Sequence, residues 1–127
     1  MKSVRIIFSL AAAWGFLALI PGLFAETGVG AALPFAISQP EYYYGFYGLA
    51  LVFQLLFVMI ALDPVRFRPL IPIAILEKLS FFLPVTILFM QGRVAMGGAF
   101  VGAMVDGILM VLFGLAWWLS RNGDAAG

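Results

Sequence analysis

Residues 63–91 read DPVRFRPLIPIAILEKLSFFLPVTILFMQ, and this stretch decides the architecture of the chain. It starts as a short basic turn, in which the Asp-Pro pair favours turn initiation. It continues as an apolar run that is long enough to span a bilayer as a helix. Glu77 and Lys78 lie well inside that run. Because charge is costly in a membrane, these two residues determine what the other helices must provide.

The favourable contribution of the apolar residues in this run to the free energy of membrane insertion nearly equals the cost of its two charges. Leu, Ile, Val and Phe occupy 13 positions between Pro69 and Met90. At about 0.3–0.6 kcal/mol each, they favour insertion by roughly 4–8 kcal/mol. Glu77 and Lys78 together would cost roughly 5–7 kcal/mol if they were central and ionised. The helix is therefore marginal alone, and we expect its charges to find partners inside a bundle.

Composition indicates a membrane protein and excludes several function classes. The 127 residues are 65% hydrophobic and 10% charged, whereas a soluble protein is about 45–50% apolar and about 25% charged. A net charge of +1 without a basic cluster argues against nucleic acid as a partner. The chain has no cysteine and no histidine, which excludes thiolate catalysis, iron–sulfur clusters and imidazole ligation of metals. The sequence predicts no cofactor, no metal site and no assigned catalytic residue.

Hydropathy predicts an all-α, four-helix transmembrane bundle that forms a single membrane domain over residues 1–127. The predicted helices are residues 6–25, 42–62, 69–90 and 94–119, with a loop at 26–41 and a polar tail. The first run resembles a signal peptide, but it is 20 residues long. An h-region has about 7–15 residues, so we expect a retained transmembrane helix. Tyrosines at the start of the second helix and tryptophans at the end of the fourth indicate membrane interfaces.

The distribution of Lys and Arg predicts the orientation of this bundle. If the N-terminus is cytoplasmic, one arginine, Arg93, lies outside, and five basic residues lie in the cytoplasm: Lys2, Arg5, Arg66, Arg68 and Arg121. This bias follows the positive-inside rule. We therefore expect cytoplasmic N and C termini and a multi-pass protein of the inner (plasma) membrane. The short turns predict antiparallel pairing of the second helix with the third and of the third with the fourth.

Depth along the helices suggests partners for the two charges. Adjacent helical residues point about 100° apart, so Glu77 and Lys78 are predicted to pair with other residues rather than with each other. At about 1.5 Å per residue, Gln54 and Trp14 lie at the depth of Glu77. Asp106 lies deeper, within reach of the long Lys78 stem. These five residues are the predicted ligand-binding or proton-handling site, with Trp14 as an aromatic wall.

A small-residue face of the fourth helix suggests close packing. Gly98, Gly102 and Asp106 recur every four residues and share one face. The first two form a GxxxG motif, which permits close approach of helix backbones. We therefore expect Asp106 to point along a packed seam and the Gly98/Gly102 face to be available for a homo-oligomer.

The run ALDPVRFRPLIPIAILEKLSFF, residues 61–82, resembles the loop-and-helix segment of small uncharacterised bacterial membrane proteins with four helices. The general layout is similar to the DoxX-like and BphX-like groups. The resemblance implies a bacterial inner-membrane four-helix protein. It carries no established catalytic residues that could be transferred to this chain.

Two interpretations of the intramembrane charges remain open at the level of sequence. They either form a buried network that fixes helix register or line a functional site. For function, the sequence favours a non-enzymatic accessory subunit or a binder of an apolar small molecule or lipid in the bilayer. The alternative is a proton-coupled transporter or channel for a small molecule. The third hypothesis is a membrane enzyme that uses Glu77 as a general acid or base on a lipid-like substrate.

Overall fold

The computed structural model describes residues 1–25 and 39–121, which form four long helices. These are α1 (Lys2–Leu23), α2 (Pro40–Leu62), α3 (Ile71–Met90) and α4 (Gly98–Ser120), with a 3-10 turn at Arg68–Leu70 before α3. In this part of the chain, four helices are long and apolar enough to cross a membrane. The predicted all-α, four-helix architecture is confirmed. Most of the loop predicted at 26–41, and the tail after residue 121, lie outside the described residues.

Glycines set two of the helix ends. Gly92 has a φ of 72°, the left-handed conformation that glycine adopts without steric cost, and it follows the end of α3 at Met90. The helix α4 begins at Gly98 rather than at the predicted Val94. Gly97, its extended N-cap, and Gly98 both have a low helix propensity, so the helix starts only after the Gly-Gly pair.

The helices α1 and α2 form an antiparallel hairpin whose contacts depend on two glycines of α1. A Cβ on Gly15 would overlap the side chain of Gln54, and a Cβ on Gly22 would overlap the ring of Tyr47. The Tyr43 hydroxyl donates a hydrogen bond to the Gly22 carbonyl. The absent side chains therefore bring the two backbones close enough for larger residues of α2 to fill the interface.

The helices α3 and α4 form the second antiparallel hairpin. Gly107 provides the close approach, because a Cβ there would lie 2.6 Å from the Phe82 ring. Nearer the turn, the rings of Phe89 and Phe100 pack with centroids 4.3 Å apart. Contact between the two hairpins, α1 with α4 and α2 with α3, is sparser than contact within either hairpin. The predicted pairing of α3 with α4 is therefore extensive, whereas the main partner of α2 is α1 and not α3.

The hydrophobic core occupies one half of the bundle. At its centre, three fully buried rings meet: Phe8 stacks on Phe113 at 4.4 Å, and Phe57 meets Phe113 at 5.1 Å. Around them lie small and branched side chains from all four helices: Val4, Ala11, Ala12, Ile60, Ala61, Ile71, Ala74, Leu109 and Ala116. Burial of these apolar side chains joins the two hairpins to each other.

The half of the bundle that contains the hydrophobic core also contains arginines that join the helix termini. We call it the basic half. Arg5 donates to the Leu62 carbonyl at 2.7 Å, which satisfies the C-terminus of α2. Arg68 donates to the Ser120 hydroxyl at 2.8 Å, and its guanidinium lies 3.7 Å from the centroid of the Trp117 ring. These contacts connect α1 to α2 and the start of α3 to the end of α4.

The opposite half contains Tyr42, Tyr43, Tyr44 and Tyr47, and we call it the tyrosine half. In the described part of this half, the buried apolar side chains are Val85 and Ala103. The rings of Phe46 and Phe81 connect the hairpins here at 5.4 Å. The hairpins are thus joined by a continuous core in the basic half and by far less buried apolar surface in the tyrosine half.

The outward faces of all four helices are apolar, as a lipid environment requires. Several large aliphatic side chains are each at least 61% exposed: Leu10, Leu17, Leu49, Leu76, Ile108 and Val111. A soluble monomer rarely exposes contiguous apolar surface on this scale. The exposed surface therefore suits hydrocarbon, whereas Gln54 and Lys78 of the spans are buried inside the bundle.

Candidate functional site

A lysine lies at the centre of the candidate site. The side chain of Lys78 is 4% exposed, and its ammonium lies where α2, α3 and α4 meet. Its Nζ donates a hydrogen bond to Asp106 Oδ1 at 3.3 Å, the pairing that helix depth predicts. The position follows from the α3–α4 seam, since Gly107, the residue after Asp106, permits the close approach of these helices.

Glu77 also joins this cluster, contrary to the prediction that it pairs elsewhere. Its Oε2 lies 3.4 Å from Lys78 Nζ. The two Cβ atoms do diverge around the helix, as adjacent residues must, but both side chains have long flexible stems. The charged ends can therefore swing toward each other even though their Cα–Cβ bonds point apart. Glu77, Lys78 and Asp106 form a single group, which we call the charged cluster.

An aromatic ring that the sequence did not single out completes the cluster. Lys78 Nζ lies 5.0 Å from the centroid of the Phe57 ring, within the range of a cation–π contact. Phe57 belongs to the buried aromatic group of the basic half, so the cluster rests directly on the end of the hydrophobic core. One of 13 phenylalanines in an apolar run has no distinguishing signal, apart from its position one turn after Gln54.

Gln54 is buried one helical turn from Phe57. It is 1% exposed, and its Nε2 donates to the Ala50 carbonyl at 2.9 Å. Its Oε1 accepts no hydrogen bond from the described residues. An unsatisfied buried acceptor in an apolar environment is costly, and each such group calls for an explanation. Trp14, by contrast, is 45% exposed, and the aromatic surface that meets the lysine comes from Phe57 instead.

Charge and exposure are unequal within the charged cluster. Two carboxylates surround one ammonium, a formal charge of −1. The side chains of Glu77 and Asp106 are 14% and 15% exposed, whereas that of Lys78 is 4% exposed. Glu77 Oε2 is buried and accepts no hydrogen bond from the residues that the structure describes. The surface of the cluster that remains exposed therefore belongs to the two carboxylate side chains and not to the lysine.

The small-residue face of α4 is arranged differently from the prediction. A Cβ on Gly98 would meet no atom within 4 Å, and one on Gly102 would lie 3.7 Å from Phe81. The close approach of α3 and α4 is at Gly107 rather than at this GxxxG pair. Gly98 lies in the first turn of α4, where it leaves open space.

The chemistry available to this site is binding and proton exchange. Among the described residues, no group of three or more His, Cys, Asp or Glu side chains could hold a metal ion. The cluster offers carboxylate acceptors, one covered ammonium and an apolar surround. No protein-family model, curated protein or solved structure matches this chain.

Proposed function

We propose that this protein is a membrane-embedded binding protein for a small amphipathic or lipid-like molecule. The polar end of the ligand rests against Glu77 and Asp106, and its apolar body lies between the two hairpins in the tyrosine half. The observation that carries this proposal is the position of the charged cluster at the boundary where the hydrophobic core ends. A few polar groups in otherwise apolar surroundings are the usual composition of a small-molecule site.

The surplus carboxylate favours a site over a purely structural brace. One carboxylate is enough to neutralise Lys78, and Asp106 already accepts its hydrogen bond. Adding a second carboxylate to a buried pair brings a further desolvation cost without a second cation to offset it. An intramembrane ionisable residue is by default a hypothesis for a functional site. The brace interpretation has no role for the second charge.

The proposed setting is a bacterial inner membrane, with both termini in the cytoplasm. The orientation rests on the basic residues of the basic half and on the positive-inside rule. The bacterial inner membrane rests on the resemblance of residues 61–82 to the DoxX-like and BphX-like layout. An accessory role in a larger assembly, or pairing of two copies through the Gly98/Gly102 face, is compatible with this binding function.

Proton-coupled transport is the second candidate, because one proton would neutralise the charged cluster. The cluster lies within the span, and its carboxylates retain partial exposure. A transporter needs access to this cluster from both sides of the membrane in turn. The third candidate, an enzyme using Glu77 as acid/base, needs a substrate atom within hydrogen-bond distance of that carboxylate.

Native mass spectrometry of the protein extracted in mild detergent tests the binding function. We expect a molecule to co-purify with the wild-type protein, and Glu77→Gln to lose most of it. Glu41→Gln is the matched control, because it removes an exposed carboxylate in the first turn of α2 and should retain the molecule. A folded wild-type protein that retains no molecule would contradict the proposal. A pH-dependent flux in vesicles that Glu77→Gln abolishes would favour the transporter instead.

A further inference from the structure

The unequal exposure of the charged cluster indicates which ligand chemistry it selects. On the proposed binding function, we infer that the polar end of the ligand is a hydrogen-bond-donating cation, such as a protonated amine on an apolar body. The reachable groups, Glu77 and Asp106, are carboxylates, and carboxylates accept hydrogen bonds but cannot donate them when ionised. A ligand that binds them must bring the donors.

The lysine cannot serve as the ligand's partner, because its contacts are already made inside the protein. Lys78 Nζ donates to Asp106 Oδ1 at 3.3 Å, lies 3.4 Å from Glu77 Oε2, and faces the Phe57 ring. Its side chain is 4% exposed. An anionic ligand would have to displace a carboxylate from this ammonium and would then face the remaining negative charge. Charge complementarity therefore selects against carboxylate and phosphate head groups.

The number of acceptors in the charged cluster points to the same ligand class. Lys78 lies against the carboxylates of both Glu77 and Asp106, and its hydrogen bond goes to Asp106 Oδ1. Glu77 Oε2 lies 3.4 Å from Lys78 Nζ but accepts no hydrogen bond within the described chain. An ammonium group has three donors and one positive charge. It can therefore donate hydrogen bonds to the surplus acceptors and neutralise the charge of −1.

Three probes with one hydrocarbon body separate the head-group chemistries. These are 1-naphthylmethylamine, which is protonated at pH 7, the neutral 1-naphthylmethanol and the anionic 1-naphthoate. Equilibrium dialysis against the protein in phosphatidylcholine nanodiscs, with empty nanodiscs subtracted, gives the affinity of each. The ammonium brings a positive charge to its hydrogen bonds with the carboxylates, so we expect it to bind about tenfold more tightly than the alcohol, whose hydroxyl donates to the same groups. The carboxylate should bind most weakly.

Variants test whether the preference comes from the charged cluster. Asp106→Asn and Glu77→Gln each leave one carboxylate beside Lys78, and each should reduce the preference for the ammonium to within about threefold of the alcohol. Glu41→Gln should preserve it. Circular dichroism and size-exclusion chromatography establish whether each variant is folded. If one of the two variants does not fold, the other still tests the inference.

The outcomes distinguish failure of this inference from failure of the binding function. If the alcohol or the carboxylate binds as tightly as the ammonium, the site binds ligands but does not select cations, and the inference is wrong. An unchanged ammonium preference in both cluster variants would also overturn it. If none of the probes binds above empty nanodiscs, the binding function fails together with the inference.

Discussion

The two cations of the third span, Arg68 at its start and Lys78 within it, both lie against an aromatic ring and both contact α4. Arg68 is half-buried, and its partners are neutral: the Ser120 hydroxyl at 2.8 Å and the Trp117 carbonyl at 3.5 Å. Lys78 is buried and has two carboxylates. At about 1.5 Å per residue, Lys78 lies roughly 15 Å deeper along the span.

The difference between these cations shows how many counter-charges a cation needs at each depth in the span. Near the end of a span, a guanidinium retains access to the polar interface, so neutral acceptors suffice. Inside the span, an ammonium needs one counter-charge to offset its desolvation. The second carboxylate at Lys78 goes beyond that requirement. Arg68 is therefore a brace between helix ends, whereas the Lys78 cluster has a surplus acceptor to explain.

Replacing Lys78 should have the largest effect, because it leaves two like charges without a cation. For Lys78→Met we expect the free energy of unfolding to fall by about 3 kcal/mol, the lower end of the cost of breaking a buried ion pair, since both carboxylates retain some exposure. Thermal unfolding in detergent, followed by tryptophan fluorescence, measures this change. Arg66→Met is the matched control, because it removes an exposed cation that lies over the Phe67 ring. If Lys78→Met and Arg66→Met lost the same free energy of unfolding, the central role of the lysine would be contradicted.

Replacing Arg68 should have a smaller effect, because no charge is left unpaired. For Arg68→Met we expect a loss of about 1–2 kcal/mol from the hydrogen bond to Ser120 and the cation–π contact with Trp117. Arg68→Lys should recover only part of it, because an ammonium lacks the planar fork that reaches both partners. The same unfolding assay applies, with Ser120→Ala to isolate the hydrogen bond. A loss as large as that of Lys78→Met would show that depth does not separate the two cations.

Hydropathy and helix depth predicted the four helices and one contact of the charged cluster. Four apolar runs were sufficient to predict four helices, because a bilayer fixes the length of a span. The contact of Lys78 with Asp106 followed from helix depth, since the short turn before α4 constrains which levels of α3 and α4 meet. The start of α4 at Gly98 was missed, because hydropathy does not register the backbone cost of consecutive glycines.

The sequence could not predict contacts that depend on tertiary geometry. The pairing of α1 with α2 was not anticipated, because the segment between Leu23 and Pro40 is too long to restrict which helices become neighbours. The Phe57 ring beneath the lysine was missed for a similar reason, since aromatic residues on an apolar helix do not indicate their face. The contact between Glu77 and Lys78 was excluded from Cβ directions alone, which neglects the reach of the side chains.

Replacing Asp106 should have the smallest effect on stability, although it touches the same lysine. Asp106→Asn keeps an oxygen that can accept the Lys78 hydrogen bond, and Glu77 still neutralises the ammonium. We therefore expect the free energy of unfolding to change by less than about 1 kcal/mol, in either direction, because removal of the surplus charge offsets the weaker hydrogen bond. The unfolding assay used for Lys78→Met measures it. If both carboxylates were needed to hold the bundle, this variant would melt almost as early as Lys78→Met; a near-neutral result would leave the second carboxylate free to serve a ligand.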